Sequence, residues 1–115
     1  MNSTELIKGT LIPIILKLLS DNERMYGYEI TQKVKELSGG KFLINEGSLY
    51  PALHKMLQDG LVNVEIQLVG KRVRKYYRLT EIGIEEKGEQ FNELKNFINT
   101  IQIIAFPNAE IQKSC

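Results

Sequence analysis

This 115-residue chain has no tryptophan, one histidine (His54) and one cysteine (Cys115). A single cysteine cannot form an intramolecular disulfide, and a zinc site needs several Cys or His ligands, so neither a metal nor a disulfide framework is expected. One histidine also leaves no partner for a nucleophile. No glycine-rich phosphate loop or dinucleotide fingerprint is present either, so the chain reads as a non-enzyme without a cofactor. Long apolar runs are missing as well. The longest, Leu11 to Leu19, is broken by Pro13 and Lys17, and it falls short of the ~18–20 residues of a membrane span. Only Lys8 precedes it and no small-residue cleavage site follows, which argues against a secretory leader. A cytoplasmic protein with no membrane contact is expected.

What is present suits one folded domain. Hydrophobic residues make up 43% and charged residues 25%, ordinary values for a globular chain. The net charge of +1 hides an uneven distribution. Residues 1–80 hold twelve Lys/Arg against eight Asp/Glu, whereas residues 81–115 hold three against six. The surplus is concentrated in Lys71-Arg72-Val73-Arg74-Lys75-Tyr76-Tyr77-Arg78, with five basic residues in eight and no acid. Such a run is a local cationic patch on a balanced protein.

Periodicity supplies the elements. Leu6, Ile7, Leu11, Ile14, Ile15, Leu18 and Leu19 form one wide apolar stripe, which predicts a helix from Ser3 to Ser20. Pro13 and Gly9 predict a bend near residues 9–13 rather than two separate helices. Tyr26, Ile30, Val34 and Leu37 share a face and predict a second helix, Met25 to Leu37, stopped by Gly39-Gly40. A third runs from about Glu46 to Gln58, with Asn45 as its cap and Leu49, Leu53, Met56 and Leu57 as its buried stripe. After Gly60 the period changes to two. Val62, Val64, Ile66 and Leu68 alternate with Asn63, Glu65 and Gln67, as in a half-buried strand from Leu61 to Leu68. Val69 to Arg72 makes a turn and Val73 to Leu79 returns as a second strand, with Tyr76 and Tyr77 on opposite faces. Thr80 caps a last helix from Glu81 to about Phe106. Its Ile84, Phe91, Leu94, Ile98, Ile101 and Ala105 follow a coiled-coil spacing, with a gap at Lys87.

Three helices followed by a two-stranded hairpin is the order of a winged helix-turn-helix. The fold class is therefore α+β, mainly α. Residues 1–80 form a DNA-binding domain, 81–106 a dimerisation helix and 107–115 a flexible tail. In this fold the third helix enters the major groove and the hairpin tracks the neighbouring backbone or minor groove. The residues free for that role are Asn45, Ser48, Tyr50, Pro51, His54, Lys55 and Gln58 on the helix, with Lys71, Arg72, Arg74 and Lys75 on the hairpin. Tyr26 and Tyr28, flanking Gly27, read as packing residues rather than base readers. Phe91, Leu94, Phe97, Ile98 and Ile101 are the expected homodimer interface. The same order of elements also suits a protein-interaction module with no DNA role, because fold alone does not fix function.

Several runs carry a family likeness. Gly9-Thr10-Leu11, Tyr26-Gly27-Tyr28-Glu29-Ile30, Glu46-Gly47-Ser48-Leu49-Tyr50-Pro51-Ala52-Leu53, Gly60-Leu61-Val62 and Arg74-Lys75-Tyr76-Tyr77-Arg78-Leu79-Thr80 together resemble the PadR family of bacterial transcriptional regulators. The likeness spans roughly residues 5–83, and the single C-terminal helix is similar to that of the smaller subgroup, where it serves dimerisation. The resemblance implies a repressor that binds an inverted repeat in double-stranded DNA. In some members it is released by a small aromatic effector. Some small members seat flat drugs against a tryptophan between subunits. This chain has none, and Phe91 or Phe97 would have to take that place.

Overall fold

The computed structural model describes residues 7–108. The expected helix start at Ser3 to Leu6 and the part of the expected tail from 109 to 115 lie outside the described residues. Among these, four α-helices and three strands follow one another as α1 (Leu11–Asp21), β1 (Met25–Tyr26), α2 (Gly27–Leu37), α3 (Glu46–Gln58), β2 (Val62–Val69), β3 (Arg72–Leu79) and α4 (Glu81–Ala105).

The first helix differs from the expectation of one bent rod. Lys8–Thr10 form a separate 3-10 turn, in which the Thr10 hydroxyl donates to the Ile7 carbonyl at 2.9 Å, and α1 begins at Leu11. Pro13 is then the third residue of α1. Its missing N–H belongs to the first turn, where no intrahelical acceptor exists, so the proline starts a helix instead of bending one. From there Leu11, Ile15, Leu16, Leu18 and Leu19 all point into the core.

Met25 and Tyr26 correct the second expectation, since they form a strand and not the start of a helix. Met25 pairs with Tyr77 and Tyr26 with Tyr76, so β1 joins an antiparallel sheet of order β1-β3-β2. The helix begins one residue later, where the Glu29 carboxylate accepts from the Tyr26 N–H at 3.0 Å. Ile30 and Val34 face inward from α2, and Leu49, Leu53 and Met56 from α3. Leu57, expected in that stripe, is partly exposed. Burying each of the fully enclosed Ile15, Leu16, Ile30, Leu49, Leu53 and Met56 contributes about 1.5–3 kcal/mol.

The hairpin pairs from Val62↔Leu79 to Val69↔Arg72, so its turn is only Gly70-Lys71 and not the four residues expected. Gly70 takes φ +63°, the left-handed conformation that a two-residue hairpin loop of the II′ kind requires at its first position. Val62 and Tyr77 are buried on the inner face of the sheet, as the alternation predicts. Further out it fails: Ile66 is 65% and Leu68 76% exposed. The strands outrun the helices beneath them, leaving an apolar face without a core to cover.

Candidate nucleic-acid interface

The α3 helix is built to show its polar side. Asn45 adopts an extended backbone and its side-chain oxygen accepts from the Ser48 N–H at 2.9 Å, closing the helix start. Asn45 is thus committed to capping, and Ser48 is half-buried beside it. Tyr50, Pro51, His54, Lys55 and Gln58 are exposed. His54 Nε2 and Gln58 Nε2 lie 3.2 Å apart, and the Lys55 ammonium pairs with Asp59 at 3.2 Å. Both are exposed one-turn partners that a polyanion can displace at little cost.

Tyr50 has a second neighbour. Its hydroxyl lies over Gly27, where a β-carbon would come within 2.6 Å of it. The bare glycine lets α2 and α3 close together at their N-terminal ends. Tyr77 sits beneath, and burial, followed by the proximity of Tyr50, pushes its phenol above the usual tyrosine range.

On the hairpin the five cations divide into two groups. Lys71, Arg72 and Lys75 are exposed and make no ion pair among the described residues. Arg74 and Arg78 are occupied. The Arg74 guanidinium stacks 4.3 Å from the centre of the Tyr26 ring, and the Tyr76 side chain holds it in the charged form. Tyr26 meets Tyr76 edge-on at 5.4 Å, and Arg24 covers the Tyr76 ring at 4.3 Å. Arg78 Nη2 binds Glu65 Oε1 at 2.7 Å and its Nη1 binds Glu23 at 3.0 Å, while Arg24 Nη1 holds the other Glu65 oxygen at 2.8 Å. The two arginines, Arg78 foremost, keep the Glu65 carboxyl below its ordinary range.

Helix and hairpin meet across a cleft of about 560 Å³ lined by Tyr26, Gly27, Tyr28, Tyr50, Val73, Arg74 and Lys75. Tyr28 departs from its expected packing role: it is 62% exposed and lines the cleft. Arg24 and Glu65 are the residues that sequence reasoning missed. Only the strand register brings Glu65 opposite Tyr76, and no local pattern announces it.

Away from this surface, α4 packs on α1 through part of one face and leaves the rest bare. Phe91 and Leu94 are half-buried, whereas Phe97, Ile98 and Ile101 are exposed, together with Ile104. A second cleft, about 410 Å³, lies between the two helices and is lined by Gly9, Thr10, Pro13, Gln90, Glu93, Leu94 and Phe97. Lys87, the gap in the spacing, reaches toward Ser20 at 3.5 Å and the Phe91 ring at 5.9 Å. Among the described residues no helix is long and apolar enough to cross a membrane.

The family model of the transcriptional regulator PadR-like family matches residues 15–89, from the middle of α1 into α4. The chain belongs to that family. PadR-like relatives agree with the fold. A transcriptional regulator from Clostridium thermocellum superposes with a TM-score of 0.81 at 27% identity, covering 88% of this chain and 98% of the other. A transcriptional regulator of Mycobacterium tuberculosis is 41% identical over 69 residues, 60% of this chain and 61% of that protein. Bacillus subtilis PadR, solved in complex with operator DNA, superposes with a TM-score of 0.64 at 29% identity. That match covers 70% of this chain and 46% of the Bacillus protein, so this PadR-like chain spans under half of its length. The helices and the three-stranded antiparallel sheet thus form a winged helix, the fold that the sequence pattern implies.

Proposed function

We propose that this PadR-like regulator is a repressor that binds a palindromic operator as a homodimer. The observation that carries this reading is the cleft shared by Tyr50 of α3 and Val73, Arg74 and Lys75 of β3, with the exposed Lys71 and Arg72 beyond it. A helix with an uncovered polar side and a hairpin with exposed cations thus flank one concave surface. The dimensions suit α3 in a major groove and the wing on the adjoining phosphates. The likeness to B. subtilis PadR, solved with operator DNA, supports a DNA-binding role.

Dimerisation rests on α4. Its exposed Phe97, Ile98, Ile101 and Ile104 form a continuous apolar stripe of the kind that soluble monomers rarely leave bare. Pairing two copies about a two-fold axis presents two α3 helices to half-sites one turn apart, ~34 Å, or a multiple of it. An aromatic effector would sit between α1 and α4, where Phe97 and Pro13 line the same cleft. Phe91 is not among its lining residues. Binding there favours one angle of α4 and so one spacing of the DNA-reading helices.

A second reading, a protein-interaction module without DNA binding, draws support from the exposed Ile66 and Leu68 of the wing. Salt separates the two. Titrating the purified protein against a labelled promoter duplex should give log K falling by about 0.9 per phosphate contact for each unit of log salt. Affinity that is flat between 50 and 200 mM salt (roughly the range over which phosphate contacts lose their strength), or no binding to any duplex at low salt, would overturn the DNA reading.

A further inference from the structure

Five cations lie in the run from Lys71 to Arg78, and Arg24 joins them on the outer face of the sheet, yet they are not equally available. Along β3 the residues Arg72, Arg74, Tyr76 and Arg78 share one face, opposite Val69, Gln67, Glu65 and Asn63 of β2. Glu65 is the only acid among these positions. Its two oxygens are divided between two arginines: Oε1 accepts from Arg78 Nε at 2.9 Å and Nη2 at 2.7 Å, and Oε2 from Arg24 Nη1 at 2.8 Å. The Gln67 amide, with its oxygen turned toward Arg24, accepts from the same guanidinium at 2.8 and 3.1 Å, and the Tyr76 ring covers its face. Both terminal nitrogens of Arg24 are therefore engaged within the protein.

We infer that Glu65 is a specificity-determining residue: by pairing with Arg24 and Arg78 it withholds two guanidinium groups from duplex phosphates and leaves the wing's contact charge to Lys71, Arg72 and Lys75. This inference rests on the DNA-binding reading above. Phosphate contacts add affinity for every duplex alike, whereas contacts to base edges discriminate. Two further free arginines on the wing would raise binding to all sequences and dilute whatever preference α3 supplies. Glu23, 80% exposed on its side chain, holds only the outer nitrogen of Arg78. The loss of Glu65 therefore leaves Arg24 with no acid and Arg78 with a weak, solvated one.

The test uses fluorescence anisotropy with the full chain and a labelled duplex of random sequence, together with enrichment from a randomised duplex pool. Glu65→Gln keeps the shape and removes the charge. It should bind the random duplex about tenfold more tightly at 50 mM salt and steepen the salt dependence by about one to two contacts' worth. It should also enrich the pool less than the parent does. Adding Arg24→Gln and Arg78→Gln to it should return affinity and slope to the parent values. Independently of that variant's folding, Arg24→Gln alone should leave parent affinity within about twofold, while Arg72→Gln should lose about one contact's slope. Unchanged binding in a folded Glu65→Gln protein, or a loss in Arg24→Gln equal to that in Arg72→Gln, would overturn the inference and leave the DNA reading intact. Failure of the parent itself to bind any duplex would overturn both.

Discussion

Gly83, in the first turn of α4, lies against the backbone of Leu61 so closely that a β-carbon there would overlap the Leu61 carbonyl oxygen. The same carbonyl accepts from the Thr80 N–H at 3.0 Å, and the Thr80 hydroxyl donates to the Gly60 carbonyl at 2.6 Å while accepting from the Gly83 N–H at 3.0 Å. The joint between the end of α3, the sheet and α4 is thus a backbone contact with no slack. Gly83→Ala should destabilise the protein by about 1–3 kcal/mol or more, because backbone rather than a side-chain tip must give way. Gly88, with nothing within 4 Å of its would-be β-carbon, is the control. There alanine should stabilise by up to about 1 kcal/mol through helix propensity. Urea melts of the two variants check both signs.

Pairing through α4 predicts that Ile98→Asp combined with Ile101→Asp gives a monomer. Two carboxylates would stand in the middle of the apolar stripe and would have to be desolvated for it to close. Sedimentation velocity should show half the parent mass, the circular dichroism of the winged-helix part should persist, and sequence-specific DNA binding should disappear. A variant that still sediments as a dimer refutes the interface.

Arg72 and Arg74 should part company. Arg72 is exposed and unpaired among the described residues, so Arg72→Ala should weaken DNA binding about three- to tenfold at 100 mM salt and leave the melting temperature alone. Arg74 braces Tyr26 from β1. Arg74→Ala should lower affinity and melting temperature together, and Tyr26→Ala should lower the melting temperature in the same direction. Equal melting temperatures for the two arginine variants would show that the stacking adds nothing.

Alkaline stability should report Tyr77. Burial raises its folded-state pKa above the usual 10.0, so the neutral phenol is favoured in the native state. The stability this contributes is fully present below pH 10 and is lost as pH rises through the folded value. Thermal melts from pH 8 upward should fall off above that point, and Tyr77→Phe should flatten the decline. The same slope in both proteins would mean that another group controls it.

Capping gives a sharper test of Asn45, which the sequence nominates both as a cap and as a DNA contact. Asn45→Ala should cost about 1 kcal/mol of stability, and Asn45→Ser should recover most of it. If Asn45→Ser restores stability but not DNA affinity, the amide also touches the duplex.

The elements most legible from sequence are those whose signals are local. For α3, Asn45 before and Gly60 after bracket a helix of the expected length, and the structure places it at Glu46–Gln58. Signals that depend on distant partners were not legible. Met25 and Tyr26 carry a helical spacing, but Tyr76 and Tyr77, some fifty residues on, recruit them into a ladder. The alternation through Ile66 and Leu68 is real, yet period two reports a face, and only the length of the helices beneath decides whether that face is covered. The basic run is equally incomplete as a signal. It shows five cations, while Glu65 and Glu23, which occupy Arg78, enter from a strand and a loop that the run does not contain. Gly83 reads in sequence as a weak spot in a helix and proves to be a contact point.

The rigid seating of Gly83 on Leu61 turns α4 into a lever arm. At about 1.5 Å per residue the part of this helix from Gly83 to Ala105 extends ~34 Å from that fulcrum. In the proposed dimer, a tilt of roughly five degrees between the two arms would carry each α3 sideways by ~3 Å, close to the ~3.4 Å that separates neighbouring base pairs along one strand. Register on the double helix would then hinge on a slight scissoring far from any nucleotide.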